Sequence, residues 1–186
     1  MSIAAEPMAA EGYDRTTVLL HWATAGLVAL LWIIAQLIDD FSPGTPRVMV
    51  RSLHIALGLA LLVVVLCRMA WRWSGGRRLP PDQPAWMHRL AQVVHFGLYA
   101  LVAVTLLLGI GNLLVRGDSI FRLFTMPSLA PGNRAWRDQI GDLHGLAANL
   151  LLILAGLHGA VALLHHYVLR DDVLRRMRLE RRISRT

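Results

Sequence analysis

Four long apolar runs divide this chain and constrain it more than any other feature. They extend from about Thr16 to Ile38, Leu53 to Trp71, Val93 to Val115 and His144 to Leu169. Each run has about 19–26 residues, and about 20 residues of helix cross a 30 Å hydrocarbon core. A backbone in lipid must satisfy its own hydrogen bonds, so each run is expected to be a helix. A chain that is 55% hydrophobic with a mean hydropathy of +0.49 is too apolar for an ordinary soluble domain. The expected fold is all-α: one four-transmembrane-helix bundle over residues 1–186, with a basic tail over residues 170–186 and no internal repeat.

The connections carry the charge. Asp39 to Ser52 holds the turn signal Pro43-Gly44-Thr45-Pro46, and Arg72 to Ala91 holds Gly75-Gly76-Arg77-Arg78 and three prolines. Arg116 to Leu143 is the longest and contains Ile120-Phe121-Arg122-Leu123-Phe124. That apolar stretch suits either a short amphipathic segment in the interface or a loop ordered on the bundle. All 19 basic residues are arginines; 13 lie on the side of the N-terminal segment, second connection and C-terminal tail, counting Arg68 near the end of the second run, and 6 in the first and third connections. This bias predicts that both termini are cytoplasmic and that the tail reaches anionic headgroups. The net charge of +7 is then a membrane property and not a nucleic-acid footprint. Residues 1–15 are polar, with no apolar core before a small-residue cleavage site, so no cleavable signal peptide is expected. The one cysteine, Cys67, excludes an internal disulfide and a CxxCH haem attachment.

Histidines stand inside these runs, where an ionisable group is costly and marks a functional site by default. His21 lies early in the first helix, toward the cytoplasm; His54 opens the second and His144 the fourth, toward the periplasm. His158 follows His144 by almost four turns, so the two share a face and are separated by roughly 21 Å of helix rise. Imidazole is a common axial ligand of haem iron, and two pairs of histidines, one toward each face, are what two haems require. His54 is the natural partner of His144, and His21 of His158. The rivals are helix–helix hydrogen bonding by each histidine and zinc, for which the set lacks compact spacing and cysteine or carboxylate partners. Gly58, Gly145, Gly156 and Gly159 beside the histidines leave room for a flat macrocycle, although glycine also serves plain helix packing.

Other histidines leave alternatives open. His165 lies on the same face as His158 and matches the depth of His21 about as well. An iron there would stand about 31 Å from His144 by helix rise, a long gap for tunnelling. That favours His158 as the ligand and leaves His165 as a cytoplasm-facing polar group or, with His166 and Tyr167, an interfacial anchor. His95 contacts a haem propionate or a quinone, or bonds a neighbouring helix; its helix has no periplasmic histidine and cannot serve both sites. His88, in the Pro-rich connection, is expected to be solvated.

Longer stretches carry a resemblance. They are Leu20-His21-Trp22, Ser52-Leu53-His54-Ile55-Ala56-Leu57-Gly58, Val94-His95-Phe96-Gly97-Leu98-Tyr99 and Leu123-Phe124-Thr125-Met126-Pro127. They continue with Leu143-His144-Gly145-Leu146-Ala147-Ala148-Asn149 and the segment from Gly156-Leu157-His158-Gly159 to His165-His166-Tyr167. Spread over most of the chain, they resemble the bacterial cytochrome b561 family of four-helix, di-haem membrane proteins. The resemblance implies two non-covalent b haems, ligated by His21 with His158 and by His54 with His144, in a protein of the bacterial inner membrane.

Members of this kind are similar to superoxide oxidases, which oxidise superoxide at the periplasmic haem and reduce ubiquinone near the cytoplasm; others carry electrons to quinone. The implied partners are therefore superoxide, ubiquinone and membrane lipid, with no nucleic acid. An iron with two histidines has no open position, so electrons would pass at the haem edges. A positive periplasmic rim would draw a small anion. Arg47, Arg51 and Arg137 are the candidates, opposed by Asp138 and Asp142; the same arginines also suit headgroups or propionates. A quinone needs an apolar slot with a few polar groups, for which His165, His95 and Arg68 are candidates. A different class of function is a cytochrome b membrane anchor, passing electrons between a soluble redox partner, a dehydrogenase or reductase, and the quinone pool. A transporter fits less well, because four helices show no internal repeat and no broken pair.

Overall fold

The computed structural model describes residues 12–77, 79–80 and 84–179. It contains four long helices: α1 (Arg15–Leu37), α2 (Thr45–Ser74), α3 (Ala85–Arg116) and α4 (Arg134–Leu164). A two-stranded antiparallel hairpin, β1 (Ser119–Ile120) and β2 (Phe124–Thr125), lies between α3 and α4. A single π-helical turn, His165–Leu169, extends α4, and 3₁₀ turns occupy Ile38–Asp40 and Arg175–Met177. With these extensions, four helices among the described residues are long and apolar enough to cross a membrane.

Local chemistry sets the helix ends. Asp14 caps α1, its carboxylate accepting from Thr17 N–H at 2.9 Å and from the Thr17 hydroxyl at 2.7 Å. Pro46 sits in the first turn of α2, where its missing N–H costs nothing. Gly117 ends α3 in the left-handed region at φ +67°, and a Cβ there would lie 2.9 Å from Met126 O and Ser128. Asn133 caps α4 by accepting from Trp136 N–H at 3.1 Å.

Three helices start well before the apolar runs do. α2 begins at Thr45 instead of Leu53, α3 at Ala85 instead of Val93, and α4 at Arg134 instead of His144. The early turns are polar, so hydropathy does not reveal them, yet they are helical. His54 and His144 consequently do not open their helices; each sits more than two turns inside. His88 lies in the first turn of α3, not in a loop, 3.1 Å from Gln92.

The helices form an up-and-down bundle in which α1 packs along α2 and α3 along α4. One cluster of buried residues forms a layer at mid-depth: Leu31 from α1, Leu61 and Val65 from α2, Val102 from α3 and Leu151 from α4. The outer faces display Leu30, Ile33, Leu59, Val63, Leu107, Ile153 and Leu157. That is the inverse of a soluble bundle and the pattern expected where lipid is the solvent. Trp32 ties α1 to α4 by donating to Asn149 at 2.8 Å.

An even number of crossings brings both chain ends to one end of the bundle, the termini end, where the flanking segments interlock. Tyr13 N–H donates to Arg176 O at 3.0 Å, and the Trp22 indole donates to Met177 O at 3.0 Å. Asp14 accepts from the Trp71 indole at 3.0 Å and from Arg77 N–H at 3.1 Å. Residues 170–179 of the basic tail therefore fold back on the bundle; Arg78 and residues 180–186, with the last three arginines, lie outside the described residues.

At the opposite, hairpin end, Ile120–Phe124 is ordered on the bundle, the second of the two readings, and not a free interfacial segment. It forms the tip of the β1–β2 hairpin, with Phe121 (φ 50°) and Arg122 (φ 59°) in the left-handed region. The fully buried Ser52 holds it to α2. The Ser52 hydroxyl lies 2.7 Å from Val48 O and 3.2 Å from Ser119 O and accepts Phe121 N–H at 2.8 Å. Arg122 adds a bond to Thr45 Oγ1 at 2.6 Å.

Candidate functional site

Two histidine pairs flank the core layer. Near the hairpin end, His54 of α2 and His144 of α4 have ring centres 6.2 Å apart and planes at 86°. Near the termini end, His21 of α1 and His158 of α4 have ring centres 6.4 Å apart and planes at 68°. With metal–nitrogen bonds of about 2 Å, and each ring centre about 1 Å behind its nitrogen, two imidazoles across one iron have centres roughly 6 Å apart. Both pairs match. Among the described residues no group of three or more histidine, cysteine or acidic side chains is arranged to hold a bare metal ion. Haem iron would not need one: the macrocycle would supply four nitrogens, and a pair of histidines would hold the iron from the protein side.

The hairpin-end pair is also in the right chemical form. His54 Nδ1 lies 3.1 Å from Leu31 O, and His144 Nδ1 lies 3.0 Å from Thr105 O. A carbonyl can only accept, so Nδ1 carries the proton in each ring and Nε2 keeps its lone pair. That is the tautomer a ligating histidine adopts, with an outer partner fixing its orientation. Gly109 of α3 lets the backbone approach this site, since a Cβ there would stand 3.1 Å from His144 Cε1. Gly58, Gly145, Gly156 and Gly159 do something different: a Cβ at any of them would meet nothing within 4 Å. They are not close-packing glycines; Gly156 is exposed and the other three are half-buried. Thr105 Oγ1, on the same wall, is buried without a hydrogen-bond partner among the described residues.

The termini-end pair is more crowded and more polar. Arg68 of α2 donates from Nη2 to His21 Nδ1 at 3.0 Å and lies 5.3 Å over the Tyr99 ring. His95 of α3 brings its ring centre within 5.0 Å of that of His158, too close for the two to share an iron. His21, His158, His95, Arg68 and Tyr99 thus form one cluster. His165 stands two turns beyond His158, is 9% exposed, and faces Asp171 through Nδ1 at 2.5 Å. It therefore bridges the end of α4 to the chain that follows. His166 stacks edge-on with Tyr167 at 4.8 Å.

The arginines proposed for a positive rim do not form one group. Arg137 lines an open cleft of about 360 Å³ at the hairpin end together with Arg116, Arg134, Asp118 and Asp138. Arg51 reaches its edge through Asp118 at 3.5 Å, and Arg116 pairs with the same carboxylate at 3.6 Å. Arg47 is engaged elsewhere, donating to Phe41 O at 2.9 and 3.0 Å and to Asp39 O at 3.1 Å, with the Asp39 carboxylate 3.6 Å away. It staples the first connection. Arg116 and Arg134 were not among the sequence candidates, since only the fold brings the end of α3 to the start of α4.

Known proteins show the same arrangement of sequence. A family model, prokaryotic cytochrome b561, matches residues 12–179. A probable superoxide oxidase, CybB, of Yersinia pestis is 31% identical over 173 residues, covering 91% of this chain and 97% of that protein. Cytochrome b561 homolog 1 of Escherichia coli (strain K12) is 30% identical, covering 89% and 96%. Cytochrome b562 of Cereibacter sphaeroides is 30% identical, covering 89% and 94%.

Proposed function

The chain belongs to the prokaryotic cytochrome b561 family, and from that membership we propose that it is a two-haem b cytochrome of the bacterial inner membrane that carries electrons from superoxide to ubiquinone. The observation that carries this reading is the pair of histidine pairs on either side of one apolar layer, each with its ring centres spaced for a single iron. His54 with His144 would hold one haem and His21 with His158 the other. When bound, such haems supply one-electron relay with no open coordination position. The similarity to a probable superoxide oxidase supports superoxide as donor, and the arginine bias supports cytoplasmic termini and a periplasmic hairpin end.

The chain's own residues then divide the work. Arg116, Arg134 and Arg137 concentrate a small anion in the hairpin-end cleft. Asp118 pairs with Arg51 and Arg116 and offsets part of the positive charge around the cleft. At the termini end, Arg68, His95 and Tyr99 offer polar groups between apolar helices, the surroundings a quinone needs. His165 and Asp171 stand nearer the aqueous side, where protons for quinol arrive. Two superoxide anions give up one electron each and leave as dioxygen, while one ubiquinone takes two electrons and two protons.

Stopped-flow mixing of the purified, haem-loaded protein with superoxide tests this. Rapid appearance of reduced-haem bands, followed by their decay on adding ubiquinone, is the expected result. A protein inert to superoxide but reduced by a soluble redox protein would be an anchor subunit instead.

A further inference from the structure

The two histidine pairs differ in what stands behind their rings. At the hairpin end, both outer nitrogens donate to backbone carbonyls, those of Leu31 and Thr105. At the termini end, the outer nitrogen of His21 faces a cation, Arg68, at 3.0 Å. Arg68 follows His54 on α2 by the same fourteen residues that separate His144 from His158 on α4. Fourteen residues is almost four turns, so both members of each set share a face. α4 thus gives a histidine to each site, whereas α2 gives a histidine to one and an arginine to the other.

We infer that Arg68 sets the termini-end haem at a higher reduction potential than the hairpin-end haem, so that electrons run downhill from His54 and His144 toward His21 and His158. The inference rests on the two-haem reading above. Reduction lowers the charge of a haem iron by one. A carbonyl that accepts a ligand's N–H makes that imidazole a stronger donor and favours the oxidised state. A fixed cation beside a ligand ring favours the reduced state, and low-dielectric surroundings strengthen the effect. Arginine keeps its charge in such surroundings. Ligation through Nε2 would put the proton of His21 on Nδ1 and end the hydrogen bond from Arg68. The charge would stay, because the Tyr99 ring also seats the guanidinium. The sign of the effect is the same with or without the hydrogen bond.

Potentiometric titration of the purified full-length protein, followed by visible spectra, tests the inference. In H144A the haem that remains should be the one with the higher midpoint of the wild-type pair. R68Q keeps a donor but removes the charge, and should make reduction of that haem at least tenfold less favourable, a fall of about 59 mV for one electron. The other midpoint should not move, and R68K should stay close to wild type. A lower midpoint for the haem left in H144A overturns the inference, as does an R68Q protein whose higher midpoint is unchanged or whose two midpoints fall equally. If R68Q fails to hold its haem, the H144A and R68K results still decide. A wild-type protein with one haem, or an H144A protein that keeps both, overturns the two-haem reading and this inference with it.

Discussion

A histidine binds iron through one nitrogen only when the other holds the proton, and Leu31 and Thr105 enforce that condition with carbonyls that no sequence pattern displays. The histidines themselves were legible: depth and periodicity nominate His21, His54, His144 and His158, and the structure brings them together in two pairs. Their partners were not, because a backbone carbonyl has no residue type. Gly109 is a second residue the sequence hides. Four other glycines adjoin histidines in sequence, but Gly109 meets His144 only through packing of α3 on α4. Gly109→Val should therefore disturb one site selectively. Overpacking of this kind costs about 1–3 kcal/mol, and the spectrum of the hairpin-end haem should shift or bleach while the other stays. Equal loss of both haems would point to general misfolding instead. His144→Ala should remove the hairpin-end haem and His158→Ala the other, each read by the loss of one set of α-bands. If His165→Ala removes a haem while His158→Ala keeps both, the pairing is wrong.

Single elements were legible where apolar runs define them and illegible where polar residues continue the helix. The first turns of α2, α3 and α4 look like loops because they contain proline, arginine and glutamine and because only α4 of the three has a side-chain cap, although their i→i−4 bonds are formed. The β1–β2 hairpin was missed for a different reason. Two-residue strands have no period to detect, and Phe121 and Arg122 are not the residues that advertise a left-handed turn. Asp14 ties one such end down. Its partial burial alone would push the carboxyl pKa up; bonds from the Thr17 hydroxyl and N–H, Arg77 N–H and the Trp71 indole outweigh it and hold the pKa at about 2. A carboxylate depressed below its unfolded value stabilises the fold above about pH 4, and that contribution is lost as pH falls through the folded value of about 2. Unfolding curves in detergent should show Asp14→Ala about 1 kcal/mol less stable at neutral pH. The deficit should shrink toward pH 2. A deficit independent of pH would mean that the carboxylate's charge is not what the cap uses.

On the scale of the whole molecule, the bundle is two polar layers separated by one apolar layer, with opposite ends specialised differently. The hairpin end gathers arginines around an open cleft, and the termini end interlocks the two flanking segments. Net charge and arginine bias were visible in the sequence; which arginines share a cleft was not, since Arg47 and Arg51 are close in sequence but engaged on different partners. If the cleft draws superoxide by charge, the rate of haem reduction should fall steadily as salt rises from about 0.01 M to 0.1 M, where the screening length drops from about 30 Å to about 10 Å. Replacing Arg134 and Arg137 together by glutamine should slow the reaction and flatten that dependence without altering the haem spectra. A rate indifferent to both would remove the cleft from the path of the donor. Everything proposed for this chain depends on the histidine pairs holding iron. The most direct measurement is therefore a pyridine haemochrome assay against quantified polypeptide, with electron paramagnetic resonance of the oxidised protein. The geometry predicts two b haems per chain, both low-spin with two nitrogen ligands. One haem per chain, or a high-spin signal from either, would contradict it.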